Sequence, residues 1–157
     1  MLNIRICARR EAEENVKEMN ATHVLSLVDS NTPLPTHTCE HKVLRFIDTI
    51  HQVSDGPTLD IVQEILNFGK TLTEKDRIVI HCEAGISRST AAALLILVQH
   101  TGDINASAEM IKYLRKQASP NMLMIYFGEL ILNKPDQILP KAREISDFVL
   151  LIGEVDD

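Results

Sequence analysis

Short apolar runs alternate with amphipathic stretches along the chain. Apolar runs of fewer than eight residues that are rich in Ile, Val and Leu are typical of buried strands. Apolar positions three and four residues apart predict helices. The pattern predicts four strands, at residues 3–7, 22–28, 43–47 and 77–81. It predicts six helices, at residues 9–19, around 61–68, and at 88–100, 106–117, 121–132 and 141–152.

The order of these elements predicts the fold class. Strands that alternate with helices and are followed by a run of helices are typical of an α/β domain. We therefore expect one domain over residues 1–157, with a four- to five-stranded, mostly parallel sheet flanked by helices. The segment 88–100 is apolar nearly all round, which predicts a central buried helix, and Gly102 suits its C-cap.

Composition and charge narrow the class of partner. The chain has 157 residues, 45% of them hydrophobic, and a formal net charge of −6. Nucleic acids and anionic membranes attract basic surfaces, so neither is expected as the main partner. No run reaches the roughly 18 apolar residues of a membrane span, and charged residues appear within the first five positions, unlike in a signal peptide. We therefore expect a cytoplasmic location.

The three cysteines, Cys7, Cys39 and Cys82, are widely spaced and form no CxxC pair. An odd number at such spacing predicts neither a disulfide framework nor a zinc site, and we expect no metal. Cys7 and Cys39 are interpreted as small core residues, the usual role of a buried cysteine. Cys82 has a different context, because it ends an apolar strand.

The stretch IHCEAGISRST, residues 80–90, joins the fourth predicted strand to the apolar helix. A strand-to-helix loop directs backbone N–H groups inward, and the N-terminus of the following helix adds more N–H groups and a partial positive charge. Together they predict an anion cradle about the size of one phosphate. Gly85 allows a positive φ or a close backbone approach. The candidate phosphate-binding residues are Glu83, Ala84, Gly85, Ile86, Ser87 and Arg88.

Residue chemistry assigns candidate roles within this loop. A thiol beside an arginine at a helix N-terminus ionises more readily than a free thiol, so Cys82 is the candidate nucleophile. Arg88 provides a planar fork that matches two phosphate oxygens. Ser89 is placed to direct a hydroxyl at the sulfur and stabilise it as a leaving group. His81 is expected to orient the loop, because an ionised nucleophile needs no general base.

The motif HCEAGISRS resembles the active-site loop H-C-x5-R-[S/T] of the cysteine-dependent protein tyrosine phosphatases, and its AGxSRS form is most similar to the dual-specificity branch. THVLSLVD, VLRFID and SPNMLMIYFGELIL resemble further family segments, so the likeness covers residues 20–132. The resemblance implies that Cys82 forms a phosphocysteine, Arg88 clamps the phosphate and Ser89 assists. It also implies that Asn121 supports the loop and that no cofactor is used.

The resemblance also implies an aspartate, upstream of the cysteine, that protonates the leaving group. Asp48 follows the third predicted strand, 34 residues before Cys82, and is the favoured candidate. Asp55 lies 27 residues before Cys82 and is the alternative, although a role as a helix N-cap explains it equally well. Asp60 falls inside a predicted helix and is set aside.

These features predict a small phosphatase acting on phosphotyrosine, and also on phosphoserine or phosphothreonine, in proteins. One alternative is an enzyme of the same fold that acts on a phosphoinositide or an RNA 5′-triphosphate, although the loop lacks the basic residues expected for such substrates. Another alternative is a non-catalytic phosphate-binding module. Cys39 is a further candidate, as a partner for an oxidised Cys82.

Overall fold

The computed structural model describes the backbone of residues 1–156 and the side chains of residues 1–153. Four strands form one sheet: β1 (Asn3–Ala8), β2 (His23–Val28), β3 (Glu40–Arg45) and β4 (Arg77–Cys82). A 3-10 turn at Arg9–Glu11 leads into the first of six helices. These are α1 (Ala12–Met19), α2 (Leu59–Lys70), α3 (Arg88–Thr101), α4 (Ile104–Leu114), α5 (Met122–Leu132) and α6 (Leu139–Asp156).

The sheet has the strand order β1-β4-β2-β3, and every neighbouring pair is parallel. The predicted fold class is confirmed: an α/β domain with a four-stranded parallel sheet flanked by helices. In a parallel sheet all carboxyl ends lie at one edge, where ligands bind in this class of fold. Here β4 runs between β1 and β2, so Cys82 is delivered to the middle of that edge.

The third strand begins and ends earlier than predicted, at Glu40–Arg45 instead of residues 43–47. Phe46 still donates its N–H to the Val28 carbonyl at 3.0 Å, whereas Ile47 donates to Asp55 at 2.8 Å. The apolar pair Phe46-Ile47 therefore leaves the sheet, and residues 47–55 form a loop closed by that hydrogen bond. The pattern was misleading because these apolar residues continue the strand in sequence but pack outside it.

The core lies mainly on one face of the sheet, around α3. Every residue of α3 from Ser89 to Leu97 has no exposed surface, which confirms the predicted central helix. Gly102 ends it with φ of +69°, as predicted for its C-cap. α5 packs tightly on α3 because Gly128 has no side chain, and a Cβ there would overlap Leu95. The other face carries a smaller cluster, in which α1 covers Cys7, Val24 and Val79.

Glu129 is a buried carboxylate that joins α5 to α6. It is 2% exposed, and Oε2 accepts hydrogen bonds from the backbone N–H groups of Ile138 at 2.8 Å and Leu139 at 2.9 Å. These groups stand at the start of α6, where a helix has unpaired N–H donors and a partial positive charge. The carboxylate therefore caps α6 and fixes it on the core.

We expect Glu129→Ala to lower the free energy of unfolding by about 2–3 kcal/mol, because two buried donors lose a charged acceptor. Urea unfolding followed by circular dichroism measures this. Glu144→Ala is the matched control, since among the described residues Glu144 forms an exposed pair with Lys141, whose loss should cost under about 1 kcal/mol. Equal losses in the two variants would contradict a capping role.

Candidate active site

The segment between β4 and α3 forms a tight loop over the carboxyl edge of the sheet, as predicted from the sequence. Gly85 has φ of +70°, and a Cβ on it would come within 2.6 Å of the Cys7 carbonyl carbon and 2.8 Å of the Ala8 nitrogen. Both facts exclude a larger residue, because the conformation and the space each require glycine. The loop is therefore pressed against the end of β1.

Cys82 lies on the floor of this loop and is 3% exposed. Its Sγ accepts a hydrogen bond from the Gly85 N–H at 3.3 Å and lies 3.1 Å from the Ser89 Oγ. One N–H donor from the loop and one hydroxyl from the first turn of α3, which can also donate, therefore converge on the sulfur. Such an arrangement stabilises a negatively charged sulfur.

Arg88 is 4% exposed and is held from two sides. Its Nη1 donates to the Asp29 Oδ1 and to the Phe46 carbonyl, both at 2.7 Å, and its guanidinium carbon lies 5.9 Å from the centre of the Phe46 ring. Its Nε is buried without a partner among the described residues. A buried donor without an acceptor costs stability. A bound oxyanion would accept a hydrogen bond from this Nε and remove that cost.

Asp29, which follows β2, is a site residue that the sequence did not reveal. In the sequence it is the last residue of THVLSLVD, and its context there indicates no role. The Asp29 side chain is 53% exposed, whereas the side chain of Arg88 is 5% exposed, so Asp29 is the outer member of the pair. Its position at a strand end, level with the phosphate loop, is the signal that could have identified it.

Arg115 supports the loop from behind and was also missed. Its Nε donates to the Gly85 carbonyl at 3.0 Å, and Nη2 donates to the Ala84 carbonyl at 3.1 Å. Nη2 also lies 3.5 Å from the Glu11 carboxylate, which accepts the Ala8 N–H. That backbone hydrogen bond is the main reason why the pKa of Glu11 is lowered. Arg115 itself is extended, which ends α4 at Leu114 instead of residue 117.

Glu83 lies at the outer rim of the loop and turns away from Cys82. Its carboxylate accepts from the Arg9 Nε at 3.0 and 3.1 Å, and its carbonyl accepts the Arg9 N–H at 3.1 Å. The ion pair raises the pKa of Arg9. Ala84 and Ile86 are exposed on the same loop, whereas Ser87 is half-buried.

The two candidate acids occupy different places in the loop between β3 and α2. Asp48 Oδ1 accepts from the Ser87 hydroxyl and from the Asn121 side-chain amide, both at 2.8 Å. Asn121 also caps α5 through Met124, so the loop, Asp48 and α5 are tied together. Asp55 contributes its backbone carbonyl to the loop closure at Ile47.

The reading of Asp55 as a helix N-cap is wrong. Thr58 is the N-cap of α2, and its side chain accepts from the Ile61 N–H at 3.2 Å. Asp60 lies within α2, as the sequence predicted. Asp48 is therefore the candidate that contacts the phosphate loop through its side chain.

His81 is buried beneath the loop, with 1% of its surface exposed. Its Nδ1 lies 3.2 Å from the Cys82 carbonyl oxygen, and its Nε2 lies 2.6 Å from the Ser26 hydroxyl. Burial lowers the pKa of His81 to about 4. The imidazole is therefore neutral at pH 7, and the geometry is that of a group that orients the loop.

Cys39 lies far from the Cys82 sulfur, whereas Cys7 lies on the neighbouring strand β1, opposite His81, and packs in the smaller cluster on the other face of the sheet. Cys39 immediately precedes β3, at the amino edge of the sheet, whereas Cys82 ends β4 at the carboxyl edge. About five residues of strand rise, or roughly 16 Å, separate these levels, beyond the roughly 7 Å Cα limit of a disulfide. Burial raises the pKa of Cys7 to about 12. The idea that Cys39 pairs with an oxidised Cys82 is therefore not supported by the geometry.

Among the described residues, no three His, Cys, Asp or Glu side chains are placed to hold a metal ion. Likewise, none of the helices in the described part of the chain is both long and apolar enough to cross a bilayer. What the site does hold is a set of anion-directed donors around one sulfur.

Comparison with known proteins identifies the family. The model of the family described as protein-tyrosine phosphatase matches residues 3–125. The chain therefore belongs to the protein-tyrosine phosphatase family, and its relatives place it on the dual-specificity-like branch.

Two curated relatives carry names of that branch, and one solved structure shares the fold. Human dual specificity protein phosphatase 5 is 30% identical over 113 residues, which cover 66% of this chain and 29% of that protein. Dual specificity protein phosphatase 1 of Arabidopsis thaliana is 27% identical over 136 residues, covering 84% of this chain and 62% of that protein. The crystal structure of DUSP15 aligns with a TM-score of 0.68 and 20% identity, covering 94% of this chain and 92% of the other.

We expect Arg115→Met to weaken oxyanion binding by about tenfold, because two loop carbonyls lose their donors while the aliphatic stem is kept. Titration calorimetry with tungstate, an oxyanion close to phosphate in shape, measures the dissociation constant. Lys112→Met, in the last turn of α4, is the control, since among the described residues Lys112 pairs with Glu109 and Phe148, away from the loop. Equal affinities for wild type and Arg115→Met would contradict the support role.

Proposed function

We propose that this protein is a small phosphatase that hydrolyses phosphotyrosine, and also phosphoserine or phosphothreonine, on proteins through a phosphocysteine intermediate. The observation that carries the proposal is the placement of the Cys82 sulfur between the Gly85 N–H and the Ser89 hydroxyl. Beside them, Arg88 has a buried Nε without a partner among the described residues. A nucleophile and the donors for its target thus share one pocket.

In the proposed first step, the Cys82 thiolate attacks phosphorus and the bond between phosphorus and the substrate oxygen breaks. Arg88 and the loop N–H groups hold the non-bridging oxygens as charge shifts among them. A proton on Asp48 passes to the leaving oxygen. Within the described residues both hydrogen bonds to Asp48 use Oδ1, which leaves Oδ2 for that proton.

In the proposed second step, a water molecule attacks the phosphorus of the phosphocysteine and the S–P bond breaks. The Asp48 carboxylate accepts a proton from that water, which restores its acid form. The Ser89 hydroxyl, 3.1 Å from Sγ, donates to the sulfur as it leaves as a thiolate. Inorganic phosphate is then released and the starting state is regenerated.

The surroundings of the loop favour a protein substrate with an aromatic phosphoester. Ile86 in the loop and Ile47, Ile50 and Val53 in the tethered β3–α2 loop are exposed apolar side chains. They suit the ring of a phosphotyrosine better than a polyanionic headgroup. An open groove of about 520 Å³, lined by Arg9, Glu83 and residues 29–33, lies beside the loop and offers polar groups to a peptide.

We expect Cys82→Ser to lower kcat/KM for a phosphotyrosine peptide by at least about 10³-fold, because the nucleophile is lost. Phosphate release by malachite green measures it. Cys39→Ser is the matched control and should keep wild-type activity. Equal rates in the two variants would end the enzyme proposal. Faster turnover of a phosphoinositide or an RNA 5′-triphosphate than of any phosphopeptide would instead replace the proposed substrate class.

We expect Asp48→Asn to lower kcat by about 10²-fold or more on phenyl phosphate and by much less on para-nitrophenyl phosphate. The second leaving group needs little protonation, and asparagine still accepts the Ser87 and Asn121 hydrogen bonds. Asp55→Asn is the control and should leave both rates near wild type. A comparable loss in both variants, or the same loss on both substrates, would contradict Asp48 as the acid.

A further inference from the structure

A chain of hydrogen bonds runs from the edge of the sheet to the backbone of Cys82. The His41 Nε2 lies 2.8 Å from the Ser26 Oγ, which lies 2.6 Å from the His81 Nε2. The His81 Nδ1 in turn lies 3.2 Å from the Cys82 carbonyl oxygen. Ser26 and His81 stand directly opposite each other in the pairing of β2 with β4, and β3 supplies His41.

The direction of every bond in this chain follows from one fixed acceptor. A carbonyl oxygen only accepts, so the His81 Nδ1 carries the proton. Burial lowers the pKa of His81 to about 4, so the ring is neutral at pH 7 and its Nε2 is an acceptor. The Ser26 hydroxyl must therefore donate to His81, and its oxygen accepts the proton on the His41 Nε2.

We propose that Ser26 and His41 are positioning residues for Cys82: they hold His81 in the tautomer that donates to the Cys82 carbonyl. The inference rests on the proposed function, in which Cys82 is the nucleophile. Without the serine hydroxyl, His81 is free to move its proton to Nε2 and to lose the bond to the loop. The Gly85 N–H, which donates to the sulfur, would then act on a residue whose backbone is held by one hydrogen bond fewer.

The burial of this chain supports a role beyond packing. Ser26 has no exposed surface and His81 is 1% exposed, on a sheet face otherwise lined by apolar residues such as Val24 and Val79. An apolar side chain at position 26 would fill that space without a polar group to satisfy. A fully satisfied buried polar network specifies one arrangement, whereas a partly satisfied one is destabilising.

Only the outer end of this series of hydrogen bonds, at His41, reaches solvent. His41 is half-buried and lines a groove of about 570 Å³ at the β3–α2 edge, and the ring of His37 packs against it at 4.8 Å between centroids. Burial and the neighbouring His37 lower the pKa of His41. Two ionisable groups that line the groove have partners: Lys42 binds Glu64 at 3.0 Å, and His23 lies 3.6 Å from Asp76. Glu40 also lines the groove.

The test follows the alkylation of Cys82 by iodoacetamide between pH 4 and 9, with the modified peptide quantified by mass spectrometry. We expect Ser26→Ala and His41→Phe to shift the midpoint of the profile to higher pH, so that alkylation on its acid side is about tenfold slower. His41→Gln keeps an N–H donor near the Nε2 position and should restore the wild-type profile. His37→Phe keeps the ring contact and serves as the packing control.

Each outcome decides the question. A wild-type profile in both Ser26→Ala and His41→Phe would overturn the proposal, and so would an equal shift in His41→Gln and His41→Phe, which would mean packing alone. If Ser26→Ala does not fold, the two His41 variants suffice, because His41 is half-buried at the sheet edge. Alkylation needs no turnover. A wild-type protein without phosphatase activity would therefore refute the proposed function while the positioning role is still measured.

Discussion

The phosphate loop depends on one constraint: its N–H groups must face inward, so its carbonyls face outward and need donors. Each carbonyl from Cys82 to Ser87 has one. The donors are the imidazole of His81, the N–H of Arg9, the guanidinium of Arg115 twice, the N–H of Ser119 and the N–H of Asn121. They come from β4, the β1–α1 connection, the end of α4 and the segment before α5. The surrounding fold therefore holds the loop in shape before any anion binds.

This constraint explains which parts of the site the sequence could predict. Four site residues lie within nine positions: His81, Cys82, Arg88 and Ser89. The strand before them and the helix after them determine the geometry of the loop, so a short stretch of sequence was enough to predict it. Arg115 and Asp29 had no such context: each is an ordinary polar residue in sequence and becomes a site residue only when the chain has folded. Their partners are 30 and 59 residues away in the sequence, and the hydrophobic periodicity of strands and helices gives no information about contacts at such separations.

The strands of the fold were also predictable from short local stretches of sequence, except for the bounds of the edge strand β3. Central strands such as β4 are buried on both faces and appear as short apolar runs, so their bounds were close. β3 is an edge strand, and Glu40, His41 and Lys42 make it polar where it begins. Phe46, just beyond it, is buried against the site instead, where its carbonyl and ring hold Arg88, whereas Ile47 is exposed. The strand begins three residues earlier and ends two residues earlier than the apolar pattern predicts, because its first residues are polar and the pattern continues into Phe46, which is buried outside the strand.

Charge pairing around the loop bears on the kind of anion it accepts. Three arginines contact the loop or belong to it, and each has a carboxylate: Arg9 with Glu83, Arg88 with Asp29 and Arg115 with Glu11. The cationic charge near the cradle is thus largely neutralised by the protein itself, in a chain with a net charge of −6. Under the proposed function, attraction for one phosphate would then come from backbone N–H groups and a single guanidinium at short range. A ligand with several phosphates would find no further unpaired cation among these contacts, and its additional charges would face carboxylates at the rim.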